Sequence, residues 1–311
     1  MEKKNFLTTT RGIFLTAMVC CMLWGSAFPG LKIGYGLFRM DTEHIPTLLL
    51  YAGLRFTIAG VLGIMFGSLF RQKPLVPKRD AWGCVLVMGL VQTVLQYIFY
   101  YVGFAHTTGV KGSIICGSNS FFSILIACFL FRQEKFTSSK AIGCLLGFGG
   151  VVLINLTGGG LGGGFAWNGE GFIVCSTATY ALSSVLMRIF GQKEDPVTIS
   201  GYQFLIGGII LSAIGFGMGG RLTFYSFGCV AILVYLGFVS AGAFTLWSIL
   251  LKYNAVSRVS IFSMMTPIFG ASLSTLLLSE GGGVYLGQAL GALMLVSLGI
   301  WTINRPEKVK A

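Results

Sequence analysis

Charge is what this chain has least of. Only 10% of its 311 residues are Asp, Glu, Lys or Arg, where soluble domains carry about 25%. So thin a coat of charge excludes a soluble enzyme. Histidine is almost absent as well: His44 and His106 are the only two. There is no His-Glu-x-x-His helix, no Asp-rich metal motif and no catalytic set, so neither an enzymatic activity nor a metal or other cofactor is expected. The eight cysteines lie inside apolar runs without ligand-like spacing, which makes them small packing residues. The run Gly158-Gly159-Gly160-Leu161-Gly162-Gly163-Gly164 lacks the Gly-Lys-Ser/Thr ending of a phosphate loop and reads as a flexible linker.

What is present is apolar: 54% hydrophobic residues, 45 glycines and a mean hydropathy of +0.81. A helix needs about 20 apolar residues to cross a bilayer. Such stretches fall near 13–33, 47–70, 82–105, 112–131, 139–156, 170–190, 197–218, 226–250, 257–279 and 284–303. The first has a basic start, like a signal peptide, but its length, Trp24, Lys32 and a later counterpart favour a permanent span. The expected fold class is therefore an all-α integral membrane protein of ten transmembrane helices.

The net charge of +12 would suggest nucleic acid in a soluble protein. Here no nucleic-acid motif accompanies it, no nucleic-acid partner is expected, and the basic residues fall between spans. Seventeen of the 22 Lys and Arg lie in alternate connections and at the two termini: Lys3 to Arg11, Arg71 to Arg79, Arg132 to Lys140, Arg188 and Lys193, Lys252 and Arg258, and Arg305 to Lys310. The opposite side has Arg39, Lys111 and Arg221, with Lys32 at a helix end. Basic residues mark cytoplasmic loops. The bias predicts a multi-pass protein of the inner or plasma membrane with both termini cytoplasmic.

The chain also repeats itself. Leu86–Ser113 aligns without a gap to Leu233–Ser260, pairing Tyr97 with Phe244, Tyr100 with Trp247 and Lys111 with Arg258. Trp24, Phe28 and Lys32 match Tyr180, Ser184 and Arg188. The fifth and tenth spans close on Gly150-Val-Val-Leu-Ile-Asn155 and Gly299-Ile-Trp-Thr-Ile-Asn304. Residues 11–156 thus form one five-helix repeat, 157–169 a Gly-rich linker and 170–304 a second repeat. Each repeat has an odd number of spans, so tandem copies must insert in opposite orientations. Inverted repeats are a recurring plan of secondary transporters, with the solute near the midplane between the halves.

These residues resemble the drug/metabolite transporter superfamily, EamA type, in its ten-helix form. The marks are Trp24-Gly25-Ser26-Ala27-Phe28, Leu54-Arg55-Phe56, the closing motifs, and Pro267 ahead of Glu280 and the Gly287/Gly291 helix. The fourth span departs from the pattern, reading Gly117-Ser118-Asn119 where the family often has Pro. The resemblance implies the fold and transport; it does not imply a substrate.

The candidate site begins with Arg55, about 12 Å into its span. An Arg at the bilayer centre costs about 2.5–3.5 kcal/mol on insertion scales, so it must face protein or water. It reads either as an anchor for a substrate anion or as a structural tie. Gln92, Gln96 and Tyr100 share one helix face by their spacing. Trp24, Asn119, Tyr180, Ser184, Trp247, Met265 and Thr266 sit at comparable depths and would complete an aromatic and amide cavity. No Asp or Glu lies mid-span: Glu134, Glu170 and Glu280 sit near span ends, which argues against cationic substrates and carboxylate-based proton exchange. The expected function is a secondary transporter exporting small organic metabolites such as amino acids by alternating access. The alternatives are a carrier of phosphorylated or nucleotide-linked metabolites or vitamins, and a membrane enzyme or scaffold. The partners are a small solute and the lipid bilayer. The Gly-x-x-x-Gly pairs (Gly63/Gly67, Gly143/Gly147 and Gly287/Gly291) suit internal packing in a monomer more than a homodimer.

Overall fold

The computed structural model describes residues 6–107, 109–155, 165–278 and 286–304. The described residues are all helical, with no strand among them. Eight helices are long and apolar enough to cross a membrane: α1 (Thr10–Leu37), α2 (Ile45–Arg71), α3 (Arg79–Ala105), α4 (Lys111–Leu130), α6 (Trp167–Lys193), α7 (Pro196–Gly217), α8 (Phe227–Tyr253) and α9 (Val256–Leu277). Two further apolar helices, α5 (Ser138–Asn155) and α10 (Leu286–Asn304), complete ten. They fall on the ten expected runs, and five of them extend beyond the run into polar flanks. Thr9 accepts the Gly12 amide at the start of α1, and Asp195 accepts the Thr198 amide at the start of α7. The glycine-rich connection and Glu280 lie outside the described residues.

The packing follows the inverted repeat. Helices α2 and α7, repeat mates, pack along one another, and so do the mates α5 and α10. The other contacts come in matched pairs: α1 on α8 is mirrored by α6 on α3, and α1 on α9 by α6 on α4. The two five-helix units therefore interlock around a pseudo-twofold axis.

Small residues set the closest approaches, as helices in lipid require. On α2–α7, a Cβ on Gly208 would lie 2.8 Å from the Phe56 carbonyl carbon, and one on Gly60 would meet the Leu205 backbone. On α5–α10, a Cβ on Gly143 would lie 2.9 Å from the Gly299 carbonyl oxygen and one on Gly150 2.8 Å from that of Ala292. Gly143 and Gly147 are thus used inside the chain.

Helices α4 and α9, also repeat mates, are both interrupted. In α9, residues Ile261–Met265 tighten into a 3₁₀ turn ahead of Pro267, whose ring crowds the carbonyl four residues back. In α4 no proline is present. The break falls at Ser118, between Gly109–Gly117 and Asn119–Leu125, where the serine hydroxyl takes the Ile115 carbonyl at 2.6 Å. A hydroxyl and a glycine thus break α4 where the family often has proline.

Candidate functional site

Arg55 lies ten residues below the start of α2, about 15 Å down the helix. It is 5% exposed. Its guanidinium stacks over Phe56 at 4.4 Å and Tyr97 at 5.6 Å from the ring centres. The phenols of Tyr101, Tyr97, Tyr51 and Tyr35 interact with it electrostatically. Its Nε is buried without a partner, and no described carboxylate pairs with it. Stacking returns about 2 kcal/mol at a desolvated site. Withdrawing the ion from water costs several kcal/mol. The balance leaves a site that favours an anion.

An aromatic wall leads away from Arg55 and draws on both repeats. Phe56 stacks on Phe204 at 5.2 Å, Phe204 meets Phe244 at 4.9 Å, and Phe244 meets Trp24 at 5.0 Å and Tyr180 at 6.4 Å. Trp24 in turn meets Trp247 at 5.0 Å. Tyr97 joins Tyr100, and Tyr100 joins Tyr101 and Phe104. The structure thus gathers Arg55, Tyr100, Tyr180, Trp24 and Trp247 into one continuous wall. The indole nitrogens of Trp24 and Trp247, Gln96 Oε1 and Thr266 Oγ1 are buried along it without partners, an unusual density of unmet polar atoms.

The remaining candidates go elsewhere. Gln92 sits in a π-helical stretch, Gly89–Leu95. The wider turns change the helix phase, and the Gln92 carbonyl accepts the Gln203 amide of α7 at 2.9 Å. Gln203 is the repeat mate of Arg55, so this amide pair ties the two units together. Asn119 joins a hydroxyl cluster between α4 and α9: it donates to Ser263 at 3.3 Å and accepts from Ser123 at 3.2 Å, while Ser120 donates to the Ser260 carbonyl at 2.5 Å. The Ser184 hydroxyl is spent on the Tyr180 carbonyl of its own helix at 3.2 Å. Met265 is buried in the neighbouring apolar cluster with Trp247.

Sequence reasoning missed Tyr35, Tyr51 and Tyr101. Tyr51 was findable, one helical turn before Arg55 on the same face; Tyr35 was not, since it arrives from α1. Thr47, one turn further out, lines a hollow of about 320 Å³ with Arg39, His44 and Arg221 at that end of the bundle. The opposite end is laced by ion pairs between the units. Glu134 accepts Lys140 at 2.9 Å, Arg188 at 3.4 Å and the Ser257 amide at 3.2 Å, and Arg71 meets Asp195 at 2.6 Å. Burial alone would raise the Glu134 pKa, but the hydrogen bonds from Ser257 and Lys140 and the Lys140 charge hold it below the ordinary carboxylate value. Glu170 pairs with Lys111 at 3.0 Å and accepts Thr107 at 2.8 Å.

The EamA-like transporter family model matches the chain twice, over residues 11–156 and 167–305. The chain belongs to the EamA-like transporter family. It is similar to an uncharacterized transporter of Synechocystis sp., 28% identical across 95% of this chain and 91% of that protein. A WAT1-related chloroplastic protein of Arabidopsis thaliana is 25% identical across 98% and 73%, and the uncharacterized transporter YvbV of Bacillus subtilis 26% across 98% and 95%. A solved structure shares the fold, with a TM-score of 0.77 at 20% identity over 95% of this chain and 97% of that one. The protein is thus a multi-pass membrane transporter with its helices in the family's ten-helix repeat arrangement.

Proposed function

We propose that this transporter carries small organic solutes bearing a carboxylate, amino acids foremost, out of the cell by alternating access. The observation that carries the reading is Arg55: a buried guanidinium without a carboxylate partner among the described residues, at the head of an aromatic wall built from both repeats. The carboxylate would meet Arg55. The organic part would lie against Tyr100, Tyr180, Trp24 and Trp247, with Gln96, Asn119, Met265 and Thr266 offering further contacts. Gln92 and Ser184 act as supports, since their polar groups are already engaged. A single deep cation suits one carboxylate better than a phosphorylated or nucleotide-linked solute, which calls for several. The bias of basic residues supports a cytoplasmic Glu134 end and cytoplasmic termini in a cell-membrane protein, with the hollow beside Thr47 at the outer face.

Counterflow in proteoliposomes with a panel of labelled amino acids tests this. The wild type should exchange at least one of them, and Arg55→Gln should lose exchange by roughly tenfold or more. Exchange of a vitamin or nucleotide conjugate but of no amino acid would overturn the substrate assignment.

A further inference from the structure

Arg55 carries a charge that no described carboxylate compensates. A guanidinium stays protonated whatever surrounds it. One face is covered by Phe56 and Tyr97, which attract a cation but bring no countercharge. Arg55 Nε and the hydroxyl of Tyr51, one helical turn before it on the same face of α2, are both buried and both without partners. The Tyr51 hydroxyl occupies the space left by the missing side chain of Gly34, where a Cβ would collide with it. Tyr51 is held there by the rings of Tyr35 at 5.8 Å and Phe38 at 5.5 Å. Guanidinium N–H and phenolic O–H groups are donors, so what completes this rim is an acceptor with negative charge. Tyr51 and Tyr101 are almost completely buried, so an occupant of the closed rim must be small, and a carboxylate enters only once the rim opens.

We propose that the Arg55 rim binds a chloride ion, or another monovalent anion of that size, whenever no organic solute is bound. This rests on the reading of Arg55 as an anion anchor and adds the occupant of the unloaded carrier. An incoming carboxylate displaces the halide, one negative charge for another, so that the buried guanidinium is not left without a counterion. The unloaded carrier returns as the chloride form.

Retention of radiolabelled chloride by the purified protein in nanodiscs reads this without any transport step. The wild type should retain chloride saturably, with bromide and acetate competing and with no change when sodium is replaced by choline. Arg55→Gln should lose retention by about tenfold. Tyr51→Phe keeps the ring packing and removes only the donor, so it should weaken retention roughly threefold. Its elution profile and Tm would show that it folds should Arg55→Gln fail to. Non-saturable retention by the wild type, or saturable retention that neither substitution alters, would overturn the proposal. Chloride retention without amino acid counterflow would sink the substrate assignment and leave the rim intact. Counterflow without chloride retention would do the reverse.

Discussion

At the scale of single residues, this protein spends its few polar groups either on joining helices or on buried positions where no described partner answers them. Gln92 and Gln203 are of the first kind. Both are buried at the α3–α7 seam and bonded to each other. Gln203→Leu strands the Gln92 amide, which should cost about 1–3 kcal/mol and appear as a lower Tm in detergent. Adding Gln92→Leu removes the stranded group, so the double variant should regain part of the loss. Arg55 is of the second kind. Arg55→Lys keeps the charge but loses the planar stacking over Phe56 and Tyr97. It should retain weak counterflow where Arg55→Gln has none. Arg55 itself was legible in the sequence, because an arginine in an apolar run has few explanations. The phenols around it were less so: Tyr35 and Tyr101 come from α1 and α3, and no spacing rule connects them.

At the scale of elements, the glycines divide by what faces them. Gly60 and Gly208 let the α2 and α7 backbones touch, whereas Gly149 on α5 has nothing within 4 Å. Gly208→Leu should therefore prevent α2 from seating on α7, read as aggregation on size exclusion. Gly149→Ala should leave the elution profile unchanged and gain up to about 1 kcal/mol from helix propensity. Hydropathy located all ten spans because lipid demands long, uninterrupted helices. It did not reveal the π stretch Gly89–Leu95, which turns Gln92 towards α7 and breaks the face expected to join it to Gln96 and Tyr100. A phase change of that kind depends on which helix stands opposite.

At the scale of the molecule, the two ends of the bundle differ. One end is tied between repeats through Glu134, Arg188 and Ser257, and through Arg71 and Asp195; the other holds the hollow lined by Arg39 and Arg221. The Glu134 pKa is lower folded than unfolded, so its contribution is complete above the ordinary carboxylate range and lost as the pH falls through the depressed folded value. Thermal melts between neutral and acid pH should show wild-type stability falling at the acid end, with the fall shallower in Glu134→Gln. If the bundle rocks about its pseudo-twofold axis, this lacing must open on each cycle. Glu134→Gln should then change the rate of counterflow more than the apparent affinity for solute.

The sequence by itself determined the number of helices, their order, the inverted repeat and the position of the buried arginine. Each follows from a one-dimensional rule: a bilayer fixes helix length, charge fixes loop side, and an odd-numbered repeat must invert. Only the tertiary structure decided which polar groups answer one another across the bundle. It set Gln203 against Gln92, drew Asn119 into a serine cluster, and left Arg55 with aromatic rings and no described carboxylate. The reason is physical: a buried polar group is defined by its nearest neighbour in space, and in a bundle of interlocked repeats that neighbour lies on a helix distant along the chain.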